Sequence, residues 1–267
     1  MSANIEAPAT EKLVLRQDDR GVVTLTLNRP DQFNAMSRAL MNEFQAELER
    51  IAADGEARVV IIAGAGKAFC AGHDLKEMRS NPAKAFQKAL FGQCSKVMLA
   101  LVRLPQPVIA RVHGIATAAG CQLVSMCDLA VASDNARFAV SGVNLGLFCS
   151  TPSVGLARNL GRKQAMEMLF TGDFIDAQTA LARGLVNRVV PPAQLDEEIG
   201  RLTDSILAKT PVAIKTGKQM FYRQLEMGLD EAYELAAEVM ACNMMAEDAQ
   251  EGIDAFVAKR KPQWKGR

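Results

Sequence analysis

Two short segments of this chain carry the residue types from which an anion-stabilising centre could be built. The first is Gly64-Ala65-Gly66-Lys67-Ala68-Phe69-Cys70-Ala71-Gly72-His73-Asp74-Leu75, and the second is His113-Gly114-Ile115-Ala116-Thr117-Ala118-Ala119-Gly120-Cys121-Gln122. Each sets small residues ahead of a helical pattern, where backbone N–H groups lack intrahelical acceptors and can point at an anion. Two such groups converging on one point would form an oxyanion hole; ordinary tight strand–helix turns are the alternative. Neither segment fits a nucleotide loop, because the Gly-Lys-Ser/Thr of a P-loop and the order G-x-G-x-x-G are both missing. The only histidines are His73 and His113, and the six cysteines contain no C-x-x-C pair, so no metal site is expected.

The elements that must hold these turns alternate. Val22–Leu27 is β-branched and strand-like, Leu40, Phe44, Leu48 and Ile51 fall at helical spacing, and Arg58–Ala63 reads as a strand buried on both faces. A helical stretch over Pro82–Leu101 follows. The unit then repeats as strand Pro107–Val112, helix Ala118–Met126 and strand Leu129–Ala132, which predicts an α/β core with parallel strands. After about Pro192 three helices are predicted (Leu195–Leu207, Pro211–Leu225, Asp230–Met245), giving a core over 1–192 and a helical region over 193–267. The uncharged run Phe138–Ala157, broken by Asn144, Pro152 and three glycines, reads as a buried loop rather than a membrane span.

Composition narrows the function classes. The 267 residues carry 31 Lys+Arg against 30 Asp+Glu, so no global field recruits nucleic acid or an anionic membrane. Aromatics at 5% leave few platforms for stacking bases. The N-terminal residues show neither an apolar leader nor an Arg-rich transit pattern, and the cysteines read as reduced, buried thiols; both point to a cytoplasmic location.

Taken in order, the motifs identify a family. Lys67 through Met78 resembles the first signature of the enoyl-CoA hydratase/isomerase (crotonase) superfamily, and His113 through Asp128 resembles its second. Leu27-Asn28-Arg29-Pro30, Asn34-Ala35, Phe170-Thr171-Gly172 and Gly184-Leu185-Val186 extend the likeness over nearly the whole chain. Enoyl-CoA hydratase domain-containing proteins are the members it looks most like. The resemblance implies an α/β fold, a ClpP-like spiral of ββα units with C-terminal helices used for self-association as a trimer or dimer of trimers. It implies a lyase of fatty-acid metabolism with an acyl-CoA thioester as ligand and no separate cofactor. The thioester oxygen would sit between the N–H groups of His73 and Ala119, and Arg29, Phe33, Ala35, Lys67, Ala71, His73, Asp74 and Leu75 would contact CoA.

The departures from the family pattern bear on chemistry. Typical hydratases use two glutamates as general acid and base; those positions here are Gln122 and Gly142, so standard hydration is doubtful. Restoring both glutamates is expected to raise the rate. His73, through its imidazole, and Cys149 are candidates to replace them, with Asn144, Ser150 and Thr151 placed to orient water. Asp74 reads as a helix cap, Asp128 as a structural acid and His113 as a packed turn residue. The tail Lys259–Arg267 holds five basic residues, read either as solvated or as lying near CoA phosphates. A non-catalytic acyl-CoA binder, a decarboxylase and a thioester hydrolase stay open. A serine hydrolase finds no G-x-S-x-G to support it.

Overall fold

The computed structural model describes residues 12–267; the leader-free reading of the first residues lies outside them. A hairpin of β1 (Val14–Asp19) and β2 (Val22–Leu27) leads to α1 (Arg38–Ala52), which Ser37 caps through its hydroxyl. Three ββα turns follow. They comprise β3 (Val59–Gly64), β4 (Ala68–Cys70), α2 (Leu75–Ser80) and α3 (Lys84–Arg103); then β5 (Val108–Val112), β6 (Ile115–Thr117) and α4 (Ala119–Met126); then β7 (Leu129–Ser133), β8 (Arg137–Ala139), α5 (Ser150–Asn159) and α6 (Arg162–Thr171). The core closes with β9 (Ile175–Asp176), α7 (Ala177–Ala182) and β10 (Arg188–Val190), and the chain continues as α8 (Leu195–Leu207), α9 (Pro211–Gln224), α10 (Leu229–Met244) and α11 (Glu247–Val257).

Each turn gives one strand to each of two sheets. The larger runs β1-β2-β3-β5-β7-β10, parallel except for the hairpin; the smaller runs β4-β6-β8-β9, parallel except at β9. The wholly apolar β3 is explained by its two faces. Val60 and Ile62 point into the main core with Phe44, Phe69 and Phe138, while Val59 and Ile61 pack with Ile109 and Val131 under Leu195 and Ile199 of α8. This is the crotonase fold that the motif order predicts.

Two local expectations change, and one set of strands had left no signal. Phe138–Ala157 is not a buried loop: it holds the end of β8, a tight 3-10 turn over Ser141–Leu145 and the start of α5, and it exposes Leu145, Leu147 and Phe148. Pro152 misled the reading, because a proline in a first helical turn removes no needed N–H donor. The strands of the smaller sheet, two or three residues each, are too short to leave a periodic signal. The basic tail is not a free solvated strand. Asp248, 1% exposed, accepts from the N–H groups of Lys265 (2.6 Å) and Gly266 (3.0 Å), and Trp264 Nε1 donates to the Ala208 carbonyl at 2.9 Å.

α9 is tied to the core by a buried cation. Lys218 Nζ uses its three protons on the carbonyls of Leu101 and Gln106 (both 2.9 Å) and on Asp128 Oδ2 (2.6 Å). Asp128 also accepts from Val108 N and Tyr222 Oη, so every charge in the cluster is hydrogen-bonded. The structural role read for Asp128 is the one observed.

Candidate functional site

The two glycine-bearing turns abut at the carboxyl ends of the parallel strands. In the first, Gly72 has φ +95°, and a Cβ there would lie 2.9 Å from Ala118 Cβ and 3.4 Å from Ala119 N, so only glycine fits. Met36 pairs with His73 as a parallel bridge: Met36 N donates to Gly72 O (2.7 Å) and Asp74 N donates to Met36 O (3.3 Å). That pattern turns the His73 N–H to the opposite side. In the second turn, Ala118 takes φ +51° and ψ −117°, a strained setting for a residue with a Cβ, held by Ala118 N donating to Ala139 O at 3.0 Å. Ala119 is then the first residue of α4, where its N–H has no acceptor within the helix. Among the described residues neither the His73 nor the Ala119 N–H donates to a protein acceptor.

The first turn is pinned from beneath. Asn34, fully buried, donates from Nδ2 to the carbonyls of Ala65 and Ala68 (2.8 Å each) and accepts Arg29 N on Oδ1 (2.9 Å). Asp74 caps α2 by accepting from Lys76 N and Glu77 N, and its other oxygen takes Arg29 Nη2 at 2.9 Å. Burial alone would raise the Asp74 carboxyl. The Glu77 N–H and the Arg29 guanidinium outweigh burial and hold it below the usual carboxylate range. The cap role read from sequence is therefore present, with Arg29 as an added partner.

A cleft of about 560 Å³ opens beside this turn and brings together Arg29, Ala35, Ala71, His73, Asp74 and Leu75. Phe33 and Lys67 do not line it, whereas Asp31, Gln32 and Lys76, which the sequence reading left out, do. Lys76 lies two residues after the cap and could have been found from that position.

Two polar side chains meet one face of α3. The His73 ring stands edge-on to Phe91 at 5.3 Å between centroids, and both of its nitrogens are buried without a hydrogen-bond partner. Burial lowers its pKa from the ordinary imidazole value and outweighs the opposing pull of the nearby Met36 backbone, so the ring is neutral near pH 7. Gln122, 4% exposed, meets Cys94 Sγ at 4.0 Å through Oε1. Phe91 and Cys94 are three residues apart on α3 and share a face, so imidazole and amide approach the same wall.

The other predicted positions behave differently. A Cβ on Gly142 would lie 2.6 Å from the Leu147 carbonyl oxygen and 2.8 Å from Cys149 Sγ, so this turn has no room for a side chain as it stands. Cys149 fills the adjacent space; burial raises its thiol above the usual value despite the Gly142 N–H beside it, leaving it protonated near neutral pH. The Ser150 hydroxyl faces the Phe148 carbonyl at 3.4 Å, and Asn144 packs against Gly172. Nothing observed brings Ser150, Thr151 or Asn144 to the amide turns. His113 Nε2 lies 3.0 Å from Gly66 O, the turn-packing role that was expected.

Comparison with known proteins agrees with this geometry. The family model described as enoyl-CoA hydratase/isomerase matches residues 17–267. The chain is 46% identical over 252 residues to the Xenopus laevis protein named enoyl-CoA hydratase domain-containing protein 3, mitochondrial, covering 94% of this chain and 86% of that one. Among solved structures, an enoyl-CoA hydratase of Mycobacterium smegmatis superposes with a TM-score of 0.94 at 58% identity, covering 95% of this chain and 99% of that one. Human enoyl-CoA hydratase domain-containing protein 3 superposes with a TM-score of 0.92 at 45% identity, covering 95% and 100%. The cytoplasmic expectation is overturned: the similar relatives from Xenopus laevis, Rattus norvegicus and Homo sapiens are all named mitochondrial. Buried thiols report a reducing environment, which does not single out one compartment.

Proposed function

We propose, from the premise that this chain belongs to the enoyl-CoA hydratase/isomerase family, that it binds an acyl-CoA thioester and polarises its carbonyl, but hydrates conjugated enoyl-CoAs only slowly. The observation carrying this reading is the pair of acceptor-free N–H groups, His73 and Ala119, on abutting turns, the first of which lines the cleft. Charge that develops on the thioester oxygen is stabilised by two aligned amides, and this aids any chemistry passing through an enolate or a tetrahedral adduct. CoA runs along the cleft past Arg29, Ala35, Ala71 and Leu75.

Proton transfer is where the chain departs from its family's hydratases. The amide of Gln122 neither takes nor gives a proton near neutral pH, and Gly142 has no side chain. Losing a positioned acid or base typically costs about 10²–10⁴-fold. A second reading has a specific observation behind it: the unpartnered neutral imidazole of His73 can supply or accept a proton, which suits decarboxylation or thioester hydrolysis.

The test is mass spectrometry of the purified protein incubated with crotonyl-CoA, longer enoyl-CoAs, methylmalonyl-CoA and hydroxyacyl-CoAs. Slow hydration with intact CoA-ester binding is expected. Rapid gain of water overturns the argument from Gln122 and Gly142. Loss of CO₂ or release of free CoA establishes the second reading, and failure to bind any CoA ester removes both. Self-association through the C-terminal helices completes the proposal, supported by the exposed Phe221, Leu225, Leu229, Tyr233, Met240 and Phe256.

A further inference from the structure

One end of the Gln122 amide has no partner. Cys94 Sγ donates to the other end, Oε1, at 4.0 Å. Burial pushes the Cys94 thiol up to about 12, so it keeps its proton and serves as the donor. That contact leaves Nε2 as the free end. Among the described residues Nε2 donates to no protein acceptor, and it is not sealed: the 4% of Gln122 that stays exposed includes this nitrogen.

The direction of the side chain follows from the helix. Each Cα–Cβ bond in α4 tilts toward the amino end, so a side chain covers the turn before its own residue. Gln122 comes three residues after Ala119 on the same face. It therefore leans back over the turn where the Ala119 N–H is free.

The neighbours of Nε2 narrow what it can meet. An amide N–H needs an acceptor. A carboxylate would also call for a cation, but the guanidinium of Arg29 in the cleft is spent on Asp74 (2.9 Å) and the Ala35 carbonyl (2.6 Å). A hydroxyl would bring a proton that needs an acceptor of its own. Gln122 Oε1 is engaged by Cys94, the Thr117 and Ser141 hydroxyls face each other at 3.0 Å, Gly142 has no side chain, and both His73 nitrogens are buried. A ketone accepts and brings no further group to satisfy.

We propose that Gln122 selects a 3-oxoacyl-CoA. With the thioester oxygen between the N–H groups of His73 and Ala119, the ketone at C3 accepts from Gln122 Nε2. This rests on the acyl-CoA reading above and names its acyl class. A saturated or 2-enoyl chain sets a C–H against the same nitrogen and leaves its proton unmet.

The test is isothermal titration calorimetry of the full chain with acetoacetyl-CoA, 3-hydroxybutyryl-CoA and butyryl-CoA, for the parent protein, Gln122→Leu and Gln122→Met, with circular dichroism as the check on folding. The parent protein is expected to bind acetoacetyl-CoA about tenfold more tightly than either other ester, the effect of one added hydrogen bond. In both variants the three affinities are expected to converge to within about twofold. The proposal is overturned if the parent protein prefers the ketone by less than about threefold, or if a folded variant keeps the full preference, which would assign it to the two backbone amides alone. If neither variant folds, the ranking in the parent protein decides. Equal binding of all three esters sinks this inference and leaves the acyl-CoA reading standing, whereas failure to bind any of them removes that reading and this inference with it.

Discussion

A buried imidazole without a hydrogen-bond partner ties the stability of this protein to pH in one direction. Burial holds His73 below its ordinary value of 6.5, so the unfolded chain takes up the proton first as pH falls. The contribution of the neutral ring is complete above 6.5 and is lost as the pH drops below it. The thermal midpoint is therefore expected to fall less steeply from pH 7 to pH 5 in His73→Phe than in the parent protein, read by calorimetry. At Gly142 the crowding by Leu147 O and Cys149 Sγ forbids the simple restoration of a glutamate that the sequence invites. Gly142→Glu is expected to lose about 1–3 kcal/mol of stability through overpacking. Gln122→Glu alone is expected to fold and to speed crotonyl-CoA hydration about tenfold or more, since it returns one acid/base group to the site. A stopped assay with denaturation curves on both variants checks the pair. Side-chain identity at these positions was legible in the sequence. Their surroundings were not: Cys94 and Gln122 meet across 28 residues of chain.

At the scale of elements, the tether between α9 and the core outweighs any surface contact. Lys218→Met leaves the Asp128 carboxylate buried without its cation, and a loss of about 3–5 kcal/mol is expected in urea denaturation. Lys218→Met with Asp128→Leu should recover part of that loss, because no unpaired charge then remains. Asp248→Ala is expected to free the basic tail, read as trypsin cleavage after Arg260 or Lys265 in mass spectra before any cleavage in the core. The helices α8, α9 and α10 were readable from apolar spacing to within a residue or two at each end. The smaller sheet was not, since three-residue strands such as Ala68–Cys70 carry no period; nor was the Lys218–Asp128 pair, whose partners lie 90 residues apart. The amide turns were legible because close approach imposes composition. Gly120, whose Cβ would collide with the Cys70 carbonyl, admits only glycine, and that constraint shows in a single sequence.

For the whole molecule, α9 and α10 bury none of their apolar side chains fully, and together with Leu225 just after α9 they present Phe221, Tyr233 and Met240 to the outside. A second copy covering this face is expected to give a trimer or a multiple of it by light scattering. Tyr233→Lys with Phe256→Lys is expected to shift the population to monomers while leaving the circular dichroism of the core unchanged. The order of strands in the larger sheet has a further consequence, one of sequence in time. From β2 through β3 and β5 to β7, each strand lies beside the one made before it, so a chain leaving the ribosome can extend the sheet turn by turn. The lysine that seals the core, Lys218, is synthesised after all three of its acceptors, so α9 docks only onto strands and loops that have already been made.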